Sequence, residues 1–228
     1  SFHSLYAQAS NFDLSQSTAR NTRPVMDRWI ISELSILINE VEHCLTNFDS
    51  QGAGKALAQF IDDLSNWYVR RSRRRFWDGD VAALATLHEC LTTLTQLLAP
   101  MVPFISEHVW QELVRPVDPT ATKSVHLSDF PVADPSDIDT VLSAQVALTR
   151  RIVELGRAAR AESGVKIRQP LQRALIQMNI EPQLSLSLRQ QTQAQRKRIL
   201  EPQRNQGREN SSITLALFNQ LLRCAFSF

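Results

Sequence analysis

The most informative stretch of this 228-residue chain, residues 62–77, reads Asp-Asp-Leu-Ser-Asn-Trp-Tyr-Val-Arg-Arg-Ser-Arg-Arg-Arg-Phe-Trp. Upstream of it, apolar side chains recur at steps of three and four, which predicts a helix with one buried face. The members of this stripe are Leu57, Ile61, Leu64 and Tyr68, followed by Arg71 and Arg75. The buried face therefore turns into a basic face, where five arginines stand among four aromatic residues. Such a surface suits phosphates and stacked bases.

The same periodicity predicts helices on both sides of this segment. A first helix should run over residues 27–48 with Phe48 as the last member of its buried stripe, and Asp49 should cap the second helix. A third helix carries leucines at steps of three and four and ends at Ala99-Pro100: Leu84, Leu87, Leu91, Leu94 and Leu98.

Two more helices follow. Pro103 suits the first position of a fourth helix, whose stripe is Ile105, Val109, Trp110 and Leu113. A fifth should run from Ile138 towards Ala161, with Ser136 or Asp134 as its cap and Gly164 as its stop. Short joints make neighbouring helices antiparallel, so the predicted fold is an all-α antiparallel helical bundle.

The remaining segments are less regular. Residues 125–127, Val-His-Leu, are either a short strand or a clip on the bundle. Residues 165–168 alternate apolar and basic side chains and are predicted to pair, as a short strand, with a second strand at residues 174–176. A small α/β subdomain would then begin at 164–179, and residues 180–228 are predicted as a divergent polar tail, whose composition is also typical of disorder.

The charges are unevenly distributed. Residues 70–75, 150–173 and 189–208 carry 18 of the 25 Lys and Arg residues but only 3 of the 23 Asp and Glu residues. A polarised chain of this kind favours an anionic partner, RNA more than an acidic membrane surface. The sequence shows no signal-peptide pattern, and no apolar run approaches the ~20 residues needed to cross a bilayer.

Cysteine usage and local spacing give no metal or catalytic site. Cys44, Cys90 and Cys224 are odd in number and far apart, unlike a zinc site or a secreted disulfide framework. His88-Glu89-Cys90 points to different sides of a helix, which favours structural use. We therefore expect no catalytic residue, no metal ligand and a cytoplasmic location.

The candidate RNA-binding residues fall in two groups, Arg70, Arg71, Arg73, Arg74 and Arg75 in one and Lys166, Arg168 and Gln169 in the other. Guanidinium forks suit phosphate oxygens. The alternatives are a favourable helix-terminus charge or domain anchoring for the first group, and a solvated strand edge for the second. For Trp67 and Trp77, packing in the core or at an interface is favoured over stacking with RNA bases.

Residues 62–77 also resemble the signature helix in the anticodon domain of class I isoleucyl-tRNA synthetases. The resemblance continues in the same order through 97–104 (Leu-Leu-Ala-Pro-Met-Val-Pro-Phe), 124–127 (Ser-Val-His-Leu) and 166–171 (Lys-Ile-Arg-Gln-Pro-Leu). It covers roughly residues 2–178 and fails beyond Asn179. Valyl and leucyl relatives share the bundle, but the arginine-dense run resembles the isoleucyl branch best.

The resemblance implies a module at 25–163 that binds the anticodon stem-loop of isoleucine tRNA and contacts the catalytic domain of the same enzyme, with residues 1–24 as the connector. The His-x-Gly-His-like turn, the Lys-Met-Ser-Lys-Ser-like loop and the editing domain of the family do not occur in this sequence. We therefore expect a C-terminal fragment, non-catalytic by itself and without a cofactor. The parent enzyme would use ATP and Mg²⁺, with zinc as a further candidate. Activity in trans and structural bracing of the catalytic core are the rival hypotheses.

Overall fold

The computed structural model describes residues 19–118, 120–166 and 169. Their α-helices are α1 Val25–Thr46, α2 Ser50–Asp62, α3 Arg70–Trp77, α4 Val81–Leu98, α5 Pro103–Val109 and α6 Thr140–Glu162. A π-helical segment, Asp63–Val69, joins α2 to α3, and a second one, Trp110–Val114, extends α5. No strand occurs among these residues, so the all-α prediction is confirmed for them. The strand predicted at residues 174–176 lies outside the described residues.

The π-helical segment has a cause in the spacing of the buried residues. From Phe60 onwards the chain buries every fourth residue: Phe60, Leu64, Tyr68, Ser72 and Phe76. In an α-helix of 3.6 residues per turn, a stripe with a strict step of four winds around the helix axis. A π turn, closed by i→i+5 hydrogen bonds, holds more residues and keeps this stripe on one side. The predicted α-periodic stripe is therefore wrong at Ile61, which is exposed.

The turn between α1 and α2 departs from the prediction at Phe48. The helix ends at Thr46, where the Asp49 amide donates to the Cys44 carbonyl at 2.8 Å and the Phe48 amide to the Leu45 carbonyl at 3.1 Å. This is a Schellman turn, which places Phe48 in the left-handed region with φ 58°. Phe48 is 96% exposed, so its predicted place in the buried stripe is wrong.

The cap of α2 is confirmed. An Asp49 carboxylate oxygen accepts from the Gly52 amide at 2.8 Å. A Cβ at Gly52 would stand 2.3 Å from the other Asp49 carboxylate oxygen, so this close approach requires glycine.

The core lies where α1 and α4 meet α2 and the π-helical segment that follows it. The largest fully buried side chains are Trp29, Tyr68, Phe76, Ile30, Leu84 and Leu97. The leucine stripe predicted on α4 is buried or packs against this core. Among the described residues α4 is also the one helix long and apolar enough to cross a membrane by length and composition, although more than half of it is buried. Burial in the bundle explains its apolar character.

The α5 region confirms most of its prediction. Pro103 is the first residue of α5, and Trp110 and Leu113 are buried, but Ile105 is exposed and was predicted wrongly. Residues Val125–Leu127 form a 3₁₀ turn that inserts Val125 into a small cluster with Trp110. A Glu107 carboxylate oxygen holds this turn by accepting from the Val125 amide at 3.1 Å. The clip interpretation is therefore right and the strand interpretation wrong.

The cap predicted for the last helix is wrong. Asp134 accepts from the Ser136 amide at 2.8 Å and caps a short 3₁₀ turn. Helix α6 begins at Thr140, and Asp139 caps it by accepting from the Leu142 amide at 2.9 Å. The chain divides into two compact units after Val146, within α6. The predicted domain boundaries at residues 24, 163 and 179 stay a prediction.

Ser32 ties the start of α6 to α1. Its buried hydroxyl oxygen accepts from the Asp139 amide at 2.9 Å. We expect Ser32→Ala to lower the free energy of unfolding by about 1 kcal/mol, because the amide loses its acceptor. Urea denaturation measures the change. The same substitution at Ser35, also buried on α1, is the control, and an equal loss in both variants would contradict the role of this bond.

Candidate nucleic-acid interface

Helix α3 has two faces of different character. Its outward side, here called the α3 face, consists of Arg70, Arg73, Arg74 and Trp77. These positions are spaced by three, one and three residues, so they share one side of the helix. Trp77 is 76% exposed, which excludes a core position for its indole. The α3 face therefore combines three exposed guanidinium groups with one aromatic ring.

Arg75 points the other way. Its Nη1 donates to Asp27 Oδ1 at 2.6 Å and its Nη2 to Asp27 Oδ2 at 2.8 Å, which makes a bidentate pair with a fully buried carboxylate. The Arg75 Nε donates to Asp80 Oδ2 at 2.8 Å, and the Tyr68 hydroxyl donates to Asp27 Oδ1 at 2.9 Å. Four side chains from α1, α3, the π-helical segment and the turn before α4 thus form one partly buried network around the fully buried Asp27.

The burial and ion pairs of this network shift the pKa values of its members. Burial opposes the positive charge of Arg75, but the hydrogen bonds that Arg75 donates to the carboxylates of Asp27 and Asp80 outweigh it and raise the pKa of Arg75. Burial likewise opposes the charge of Asp80, yet the bond from Arg75 lowers the pKa of this carboxyl group. Burial, followed by the nearby Asp27, raises the pKa of Tyr68. The guanidinium of Arg75 is engaged inside the protein, so its geometry does not support the RNA contact predicted for it.

Arg71 and Trp67 form a pair beside the core. The Arg71 guanidinium lies 4.1 Å from the centroid of the Trp67 ring, a cation–π contact. Both residues are half-buried, and Trp67 packs against the core cluster. The geometry favours packing over base stacking for Trp67, while RNA contact by Arg71 stays a prediction.

The second predicted group belongs to the other compact unit. Lys166 and Gln169 are exposed, and their backbone carbonyls accept from Arg160 Nη1 at 3.1 and 2.8 Å. Arg168 lies outside the described residues. RNA contact by these three residues stays a prediction.

Comparison with known proteins decides what kind of helical domain carries the α3 face. Residues 27–175 match the family described as the anticodon-binding domain of tRNA ligase. The chain belongs to this family. The resemblance found from residues 62–77 and the motifs that follow them is confirmed.

The relatives of this anticodon-binding domain described below all carry the name isoleucine-tRNA ligase. The chain is 60% identical to the isoleucine-tRNA ligase of Streptomyces avermitilis over 176 residues, 77% of this chain and 17% of that protein. It is 62% identical over 154 residues to the ligase of the same name from Cutibacterium acnes, covering 68% of this chain and 14% of the relative. The corresponding protein of Thermus thermophilus is 45% identical over 182 residues, with 77% and 17% covered. The chain thus spans about a sixth of the length of these curated relatives.

Sequence reasoning missed a second arginine network in this anticodon-binding domain. Arg20 and Arg23, just before α1, both pair with Glu89 of α4, and Arg20 also pairs with Asp137. The Arg23 Nη1 lies 3.0 Å from Glu89 Oε2 and donates to Thr86 Oγ1 at 3.0 Å. The acceptors stand more than sixty residues away in the chain, so no local spacing marks them. The network fixes the segment before α1 onto α4.

The neighbouring His88-Glu89-Cys90 motif agrees with its structural interpretation. Glu89 forms ion pairs with Arg20 and Arg23, whereas His88 and Cys90 are buried. Burial lowers the pKa of His88, against the opposing charges of Glu89 and Asp118, and raises the pKa of the Cys90 thiol. Within the described part of the chain, no group of three or more His, Cys, Asp or Glu residues is placed to hold a metal ion.

The neighbouring arginines of α3 should differ sharply in their effect on stability. We expect Arg75→Ala to lower the free energy of unfolding by about 3 kcal/mol, because it leaves Asp27 buried without a counter-charge. Arg74→Ala is the matched control, since its side chain is 93% exposed and its ion pair with Asp78, at 3.8 Å, lies on the surface. That pair contributes at most about 1 kcal/mol. Urea denaturation compares the two variants, and equal losses would contradict the buried network.

His88 should make stability depend on pH. The unfolded chain protonates this imidazole near pH 6.5, whereas burial lowers the pKa in the folded chain. At pH values between these two pKa values the unfolded state binds more protons than the folded state. The contribution of His88 to the stability of the folded chain is therefore complete above about pH 6.5 and is lost as the pH falls below 6.5. Melting temperatures at pH 7.5 and 5.5 should differ less in His88→Gln than in the parent chain. His43→Gln, at an exposed position of α1, is the control, and an unchanged difference in His88→Gln would contradict the assignment.

Proposed function

We propose that this chain binds the anticodon stem-loop of isoleucine tRNA as a non-catalytic module of an isoleucine-tRNA ligase. The observation that carries the proposal is the α3 face, where Arg70, Arg73, Arg74 and Trp77 project outward from a domain of the anticodon-binding family. The position of the α3 face is held by an ion pair on the inner side of the helix, where Arg75 anchors α3 to Asp27.

The chemistry of the α3 face suits a phosphate backbone. Guanidinium groups bind phosphate oxygens through forked hydrogen bonds, and such contacts fix the register of a protein on its nucleic acid. Arg74 lies 3.8 Å from Asp78, and this solvated pair is weak enough to exchange for a phosphate. The exposed indole of Trp77 adds a flat surface beside the cations. Binding would therefore weaken as salt rises.

The isoleucine specificity rests on the names of the relatives and on the arginine-dense run that resembles the isoleucyl branch. We propose that the whole protein joins isoleucine to its tRNA in the cytoplasm. ATP and Mg²⁺, with zinc as a further candidate, would act in the part of the relatives that this chain does not span. The catalytic part of the same enzyme would be the second partner of the chain.

A structural role is the second candidate function. The observation that favours it is the 76% exposure of Trp77, because a large exposed indole also suits contact with another protein domain. In that case the α3 face would brace the catalytic part of the enzyme, and the arginines would pair with its carboxylates. The valyl and leucyl modules are the remaining alternative for specificity.

The double variant Arg73→Ala/Arg74→Ala tests the RNA proposal. We expect weaker binding to the isoleucine anticodon hairpin, and a plot of log affinity against log salt whose slope is smaller by about 1.5, because two phosphate contacts are lost. Lys123→Ala, which removes an exposed cation from a loop outside α3, is the control. Filter binding at several salt concentrations, with isoleucine and unrelated hairpins, gives the affinities.

Two results would contradict the proposal. Equal affinity for all hairpins at every salt concentration would exclude anticodon specificity. Unchanged hairpin affinity of the double variant, together with lost docking onto a separately purified catalytic part, would favour the bracing role.

A further inference from the structure

Phe48 occupies a backbone position that the fold alone would assign to glycine. It follows α1 in the left-handed region, with φ 58°, where a bulky side chain is an outlier and glycine is preferred. The residue is 96% exposed, so its ring gains almost no burial in return. A strained residue that contributes nothing to the core is a candidate for a functional contact.

A second exposed ring stands at the same end of the first compact unit. Phe104, in the first turn of α5, is 89% exposed. The connection between α4 and α5 lies against the start of α2, since Met101 Cε is 3.5 Å from the place of a Cβ at Gly54. Helices α1 and α4 both end here, so the turn carrying Phe48 and the connection leading to Phe104 lie at the same end of the first unit. We call Phe48 and Phe104 the aromatic end.

We propose that the aromatic end stacks unpaired nucleobases of an RNA loop on the rings of Phe48 and Phe104. The inference rests on the proposed function and assigns the loop to a different part of the domain from the α3 face. Bases splayed from a single-stranded loop stack on aromatic side chains, and this contact tolerates any base because every base has a π face.

The charges near the aromatic end favour bases over phosphates as its ligand. Exposed Glu40, Glu42 and Asp49 outnumber Lys55, so direct contacts with phosphate groups are disfavoured at this end. Stacking uses the uncharged faces of the bases, and carboxylates can accept hydrogen bonds from their amino groups. Phosphate binding must come from elsewhere, and the α3 face supplies it.

The two sites stand at opposite ends of the first unit. Asp27, near the start of α1, holds Arg75 of α3, whereas Phe48 follows the end of α1. Helix α1 has 22 residues, which corresponds to a length of about 33 Å. A hairpin held by its stem phosphates at the α3 face would extend its loop towards the aromatic end. The contacts with the phosphate backbone of the RNA and the contacts with its bases would thereby lie at opposite ends of α1.

Phe48→Gly tests this division, because glycine suits the left-handed backbone and keeps the turn. We expect the melting temperature to stay or rise, while affinity for the anticodon hairpin falls about tenfold through the loss of one stacked base. The slope of log affinity against log salt should not change, since no phosphate contact is removed. A hairpin with the same stem and abasic loop positions should bind the parent and Phe48→Gly equally. 2-Aminopurine in the loop should be quenched by the parent chain and less by the variant.

Conservative and matched variants complete the design. Phe48→Trp should retain binding, and Phe104→Ala should lose it as Phe48→Gly does. Val141→Ala, an exposed apolar residue in the first turn of α6, should bind like the parent. The stacking proposal would be overturned if Phe48→Gly lost the same affinity for the intact and the abasic hairpin. It would also be overturned if Phe48→Gly bound the intact hairpin as tightly as the parent chain, while Arg73→Ala/Arg74→Ala bound it more weakly. That last result would leave the proposed function standing, whereas hairpin binding that depends on neither pair of residues would overturn both.

Discussion

The buried pair between Asp27 and Arg75 is the interaction on which the rest of this domain depends. A fully buried carboxylate on α1 is tolerated only because a guanidinium fork and the Tyr68 hydroxyl satisfy both of its oxygens. Arg75 carries the connection on to Asp80, whose other oxygen caps α4 by accepting from the Ala82 amide at 2.9 Å. One network therefore sets the positions of α1, α3 and α4 relative to each other.

The same network explains why five adjacent arginines do different things. Successive residues of a helix emerge about 100° apart, so a run of arginines on α3 cannot all face the same surroundings. Arg75 faces the core and is satisfied there, Arg71 lies over Trp67, and the other three, Arg70, Arg73 and Arg74, are exposed to solvent. The inward member holds the helix, and the outward members gain a fixed position on its solvent side. A local charge run is thus divided between an internal ion pair and an exposed basic surface.

Much of this could be predicted from the sequence. The helices, the cap at Asp49, the start at Pro103 and the family all follow from short-range patterns, because capping, periodicity and motifs are local properties. The misses have physical causes. Phe48 was placed in a core stripe because periodicity does not register a Schellman turn, and Ile61 because a strict α-helical period does not anticipate the π-helical segment. Arg20, Arg23 and Glu89 were missed because ion pairs between distant residues leave no spacing signal.

The sequence by itself determined which segments are helical, because periodicity depends on residues within a few positions of each other, and it determined the family through the ordered motifs that begin at residues 62–77. The tertiary structure alone decided which arginine is buried, which aromatic ring is exposed and which carboxylate meets which guanidinium. Burial and ion pairing depend on what the neighbouring helices present, and that is known only when the chain is folded.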